Sequence, residues 1–207
     1  MDRADVWRTV DAERAGLADL VATLTDAELD APSLCTEWTV REVVAHLTLT
    51  DVGFRTLLAE GLRYGGRVNV ITRETARRRA AELTTAELVQ RLRDMVGSRG
   101  HVLGTSHLDP LVDVLVHGQD IAVPLGRSHA MPARAAAAAA QRVATMGYWY
   151  PKRRPLRGLR LEADDVDWSW GTGDLVRGPI SVLLLVLAGR RARMDELTGA
   201  GRELLVA

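Results

Sequence analysis

Asp109-Pro110-Leu111-Val112-Asp113-Val114-Leu115-Val116-His117-Gly118-Gln119-Asp120-Ile121-Ala122 is the stretch on which the reading of this chain turns. It opens with an N-cap residue followed by proline at the first helical position. Pro124 and Gly126 stop it, so the pattern predicts a helix running to about Val123. The segment is apolar almost all round, which predicts a buried helix. Asp113 and His117 interrupt it. They stand just over one turn apart and project from the same face. A buried carboxylate and imidazole are costly unless they are paired or bound to a metal. Two readings stand at this point. One is an Asp113–His117 hydrogen bond, or an Asp113 that faces solvent near the helix start. The other is one arm of a metal site. Asp120, three residues after His117, can orient that imidazole as an acceptor or simply be a solvated helix residue.

Working outward, the next informative stretch is Cys35-Thr36-Glu37-Trp38-Thr39-Val40-Arg41-Glu42-Val43-Val44-Ala45-His46-Leu47. Thr39 and Glu42 have capping-box spacing, so a helix begins there. Val40, Val43, Val44, Leu47, Leu57 and Leu58 form its apolar side. His46 sits within that apolar stretch, either as a satisfied core histidine or as a ligand. Glu42, four residues before it, could be a second arm, but the cap explains it better. Helices of a bundle face one another, and inward side chains from two of them can converge on one ion. His46, Asp113 and His117 are a donor set suited to a divalent cation. Three protein ligands leave room for water or substrate, which is the catalytic rather than the structural pattern.

The rest of the chain is consistent with a mainly helical protein. Trp7, Val10, Leu17, Leu20, Val21 and Leu24 make one stripe of a first helix. Gly65-Gly66 reads as a turn. Arg73 to Leu83 is polar and Arg-rich, and reads as a short exposed helix or a mobile connection. Thr84 and Glu87 cap a helix ending near Gly97, and a glycine-rich loop follows to Ser106. Pro132 starts a helix through the alanine run 135–140. Pro151-Lys152-Arg153-Arg154-Pro155 reads as a stiff linker. Beyond it, Leu159 to Glu162 and Val166 to Trp170 alternate like short strands. Gly171 to Asp174 reads as a turn, and Gly178-Pro179 opens an apolar helix too short to span a bilayer. The expected division is a helical bundle over 1–150 and a small α/β region over 151–207.

Across the 207 residues, Lys+Arg and Asp+Glu are both 27, so the formal net charge is zero. That balance argues against nucleic acid as a partner. Cys35 is the single cysteine, which rules out an internal disulfide and fits a cytoplasmic setting. The first residues carry no apolar run of the kind a signal peptide needs. No membrane association is expected, and a monomer or homodimer is. Cys35 near a helix start can be an activated thiolate, but no catalytic partner is evident and a small buried filler is preferred. His101, His107 and His129 lie in loop-like sequence; His107 is the reserve ligand. There is neither a Walker phosphate loop nor a nucleophile elbow.

The segment from Cys35 to Leu47 resembles the signature of the mycothiol-dependent maleylpyruvate isomerase family, within the wider DinB/YfiT-like superfamily. Val116-His117-Gly118-Gln119-Asp120-Ile121-Ala122 with Pro124-Leu125-Gly126 resembles its second motif. Val176 to Pro179, Leu187 to Arg190 and Leu197 to Gly199 resemble its tail. The resemblance implies a DinB-like four-helix bundle and a divalent metal, zinc in relatives, on His46, Asp113 and His117. Relatives usually carry glutamate where this chain has Asp113. Aspartate is one methylene shorter, so it must approach the ion more closely or bind differently. The resemblance further implies mycothiol as co-substrate and a small-molecule electrophile as its partner, in an S-transfer or isomerisation reaction serving detoxification. A metal-dependent hydrolase at the same site and a non-catalytic metal-binding stress or binding protein are the alternatives.

Overall fold

The computed structural model describes residues 1–51, 68–100, 106–146 and 156–206. The expected turn at Gly65-Gly66, the apolar positions Leu57 and Leu58, His101 and the linker at 151–155 lie outside the described residues, as does the expected division near 151. The chain separates into two compact units. One comprises 7–106 and 117–128; the other comprises 1–6, 107–116 and 129–207.

In the first unit, α1 is Arg3–Ala22 (its first residues belong to the other unit), α2 is Asp26–Leu29 and α3 is Val40–Leu47. A 3-10 turn, Thr48–Asp51, follows α3. Then come α4, Val68–Glu82, and α5, Thr85–Asp94. Three of these helices start on full capping boxes: Thr25 with Glu28, Thr39 with Glu42, and Thr84 with Glu87. The box at Thr25 has the same S/T-x-x-E spacing but opens a helix of one turn, too short to show a period. The apolar stripe of α1 is buried at Trp7, Val10, Leu17 and Val21. Arg14 is buried beside it, and its Nη1 donates to the carbonyls of Met95 at 2.7 Å and Ser98 at 3.0 Å. A buried guanidinium thus ties down the turn that follows α5, where the Met95 carbonyl also accepts from Ser98 N–H at 3.0 Å.

The Arg-rich segment is neither short nor a loose connection: α4 runs for 15 residues and packs along α3. Its inner face is made by Ala76 and Ala80, both buried, which let two helix backbones approach. Alanine carries little hydropathy signal, so the stripe is hard to see among arginines. Those arginines reach across to α3 and the turn before it. Arg77 Nε donates to Glu42 Oε1 at 3.1 Å, and Arg79 Nη1 donates to the Thr48 carbonyl at 2.6 Å.

Helix α6, Asp109–Ala122, is continuous, with its first half counted in one unit and its second half in the other. Asp109 lies within the helix bounds rather than outside them, and its carboxylate is taken up by Arg142, at 2.7 and 2.9 Å. Gly126, at φ 62°, ends the segment, and Arg127 N–H donates to the Ala122 carbonyl.

The remainder of the second unit holds α7 (Ala133–Thr145), strands β1 (Leu159–Ala163), β2 (Ser169–Gly171) and β3 (Asp174–Gly178), and helices α8 (Ile180–Leu187) and α9 (Arg202–Val206). Alanines of α7 pack on α8, whose residues are buried almost throughout. The sheet order is β2-β1-β3, with β2 antiparallel and β3 parallel to β1. β3 departs from the sequence expectation, which places Asp174 in a turn. A parallel neighbour normally needs a long crossover. Here the chain leaves β2 and passes beneath the start of β1 within two residues, where Asp174 N–H donates to the Gly158 carbonyl at 2.8 Å. The fold class is as expected, helices first and a small mixed region last. No helix among the described residues is long and apolar enough to cross a membrane.

Candidate metal centre

From Pro110 to Ala122 every residue of α6 is buried except Asp113 and His117. The two side chains expected on one face are therefore the two left partly open. His46 shows the same pattern on α3: Val43, Val44, Ala45, Leu47 and Thr48 are buried, and His46 is half-buried. One ligand atom each from His46, Asp113 and His117 lies within 4.8 Å of the others. Among the described residues this is the group of histidine, cysteine and acidic side chains close enough to hold one ion. Zinc bonds to such nitrogen and oxygen donors run about 2.0–2.2 Å, so two donors on one ion stand at most about 4.4 Å apart, and a small closing movement of these side chains would let them share one cation.

The imidazoles of His46 and His117 meet edge to face, centroids 4.9 Å apart at 79°. Nδ1–H of His117 donates to Asp120 Oδ2 at 2.8 Å, and Asp120 is fully buried. A carboxylate on Nδ1 fixes the tautomer and leaves Nε2 as the nitrogen able to take a ligand. Asp120 is thus no solvated helix residue. It also acts through its backbone, whose carbonyl accepts from Leu34 N–H at 3.2 Å. Donor identity, spacing, partial exposure and a carboxylate behind one histidine together fit a divalent cation.

Glu42 is taken by its cap. Oε2 accepts from Thr39 N–H at 2.9 Å and Oε1 accepts from Arg77. It is not part of the cluster, and neither is His107. Cys35 is a half-buried thiol, in no disulfide, in the turn before α3. Sequence reasoning missed Trp38, whose ring lies against His46, with centroids 5.3 Å apart at 82°. Its position eight residues before a histidine gives no periodic signal.

Replacing Asp120 by Asn should keep a hydrogen-bonding group in place while removing the charge. Metal affinity is expected to fall about 10–100-fold, as is usual for such supporting groups. Competition against a chromophoric chelator measures it, and an unchanged affinity would refute the role.

A model of the mycothiol maleylpyruvate isomerase N-terminal domain matches residues 10–109. No curated protein matches the chain. Among solved structures, the crystal structure of the mycothiol-dependent maleylpyruvate isomerase is similar with a TM-score of 0.59 at 14% identity, covering 96% of this chain and 91% of that one. A histidine-to-alanine mutant of that isomerase is similar with a TM-score of 0.57, at the same identity and coverage. At such identity the structures speak for the fold. Residues 10–109 are thus similar to the mycothiol maleylpyruvate isomerase N-terminal domain, and the fold of the chain is that of the isomerase structures.

Proposed function

We propose that this protein is a metal-dependent enzyme that uses a low-molecular-weight thiol, mycothiol, to transfer sulfur to, or isomerise, a small electrophile. The reading rests above all on three donor atoms, from α3 and α6, within 4.8 Å of one another among residues otherwise buried. The likeness of residues 10–109 to the mycothiol maleylpyruvate isomerase N-terminal domain supports the thiol. His46, Asp113 and His117 would hold the ion, and Asp120 would keep His117 in the ligating tautomer. A divalent cation held there would supply Lewis acidity that lowers the pKa of a thiol bound to it. The residues that flank these ligands along α3 and α6 are buried, which leaves the three side chains as the polar groups open to a ligand there. Zinc is the proposed metal and the cytoplasm the proposed compartment.

The test uses protein purified without a polyhistidine tag. Turnover of monochlorobimane should require both mycothiol and bound metal, and should stop with chelator. Turnover of an ester without thiol would move the assignment to a hydrolase. A protein that carries no metal and ignores chelator would overturn the catalytic reading.

A further inference from the structure

The turn before α3 is held more firmly than its sequence suggests. Glu37 sits at φ 68°, in the left-handed region that residues other than glycine rarely adopt. Strain of this kind persists only where surrounding contacts over-determine it, and such sites often serve function. The contacts are present. Arg73 Nη1 donates to Glu37 Oε2 at 2.7 Å, and Arg77 Nη2 donates to the Glu37 carbonyl at 3.0 Å. Ser33 donates to the Trp38 carbonyl from its backbone N–H at 3.0 Å and from its hydroxyl at 2.9 Å. Trp38 N–H in turn donates to the Cys35 carbonyl at 3.0 Å.

The product of this bracing is the placement of one ring. Side chains on a helix lean toward its N-terminus, so the imidazole of His46 leans back toward the turn. It meets the Trp38 ring at 5.3 Å and the His117 ring at 4.9 Å, both nearly perpendicular. Trp38 is half-buried, unlike Trp7, which is only 5% exposed. A tryptophan whose main task is to fill the core is normally covered further.

We propose that Trp38 is a positioning residue that fixes the imidazole of His46 for a cation, with the strained Glu37 turn as its mount. The inference rests on the metal reading of the previous subsection. Edge-to-face pairs restrict ring rotation and contribute a free energy equivalent to roughly two- to tenfold in an equilibrium constant. In Trp38→Leu, therefore, cobalt(II) affinity should fall about three- to tenfold. The apoprotein should melt near the parent temperature. Trp38→Phe, which keeps an aromatic ring, should recover most of the affinity.

Cobalt titration followed by its visible absorption, beside thermal unfolding of the metal-free proteins, reads both quantities. A leucine variant that binds cobalt as tightly as the parent overturns the proposal. So does an affinity loss that Trp38→Phe shares in full along with an equal loss of apoprotein stability, which would make Trp38 a packing residue. If the leucine variant does not fold, Trp38→Gln takes its place with the same expected loss and the same overturning result. A parent protein that binds no cobalt refutes the metal reading itself; a binding parent with an equally binding variant refutes this inference alone.

Discussion

His46→Ala protein should retain almost none of the metal that the parent carries through purification. Removing a group that only supports a ligand costs about 10–100-fold in affinity, so removing a ligand should cost on the order of 100-fold or more. The variant is informative because His46 comes from a different helix than Asp113 and His117. Those two share one turn of α6 and could gather a weak ion without help. Loss of metal on deletion of His46 alone shows that α3 and α6 act on one ion. His117→Ala should lose metal too, but it also strips the Nδ1 donor from the fully buried Asp120 carboxylate. That variant is expected to lose roughly 1–3 kcal/mol of apoprotein stability as well. The pair therefore separates ligation from folding. Elemental analysis with thermal unfolding measures both. Equal metal content in His46→Ala and parent protein would leave the centre without foundation.

The second large effect is structural. Gly173→Ala is expected to destabilise the C-terminal sheet by at least about 2–3 kcal/mol. Gly173 sits at φ 125°, and a Cβ there would lie 2.0 Å from the carbonyl oxygen of Gly158. The obstacle is backbone, not a side chain that can swing aside. The chain passes beneath β1 at this point to become its parallel neighbour, and Asp174 N–H donates to that same carbonyl. Relief would require moving Gly158 or unzipping β3. β3 in turn leads through Gly178 into α8, so damage should spread to the buried helix. Urea unfolding should show a lower midpoint, and hydrogen exchange should show lost protection along β3 first. A midpoint equal to the parent would mean that the crossing is looser than described. Gly126→Ala makes the contrast: its φ of 62° carries strain, but nothing lies within 4 Å of an added Cβ, so its cost should be smaller.

Much of the candidate centre is legible along the chain. Thr39 and Glu42 announced the start of α3 because a capping box is a contact between residues three apart. Asp113 and His117 announced a shared face because helical period is a local property. His107 and Glu42 could be weighed as rival ligands on the same ground. The alanines of α4 were not legible as an inner face, since Ala76 and Ala80 differ from exposed alanines only through what packs on them. Strand β3 was not legible either. A five-residue strand with exposed Asp174, Leu175 and Arg177 carries no alternation strong enough to outweigh the glycines that flank it.

Local order was thus written in the sequence: which residues start helices, which face of α6 carries its polar pair, and that a small α/β region comes last. Tertiary structure alone decided that His46 meets His117, that Asp120 turns inward, that arginines of α4 hold a strained glutamate, and that Trp38 reaches the imidazole. Periodicity reports contacts within one turn of helix. Which faces of distant segments meet depends on packing summed over the whole unit, and no short spacing encodes that sum.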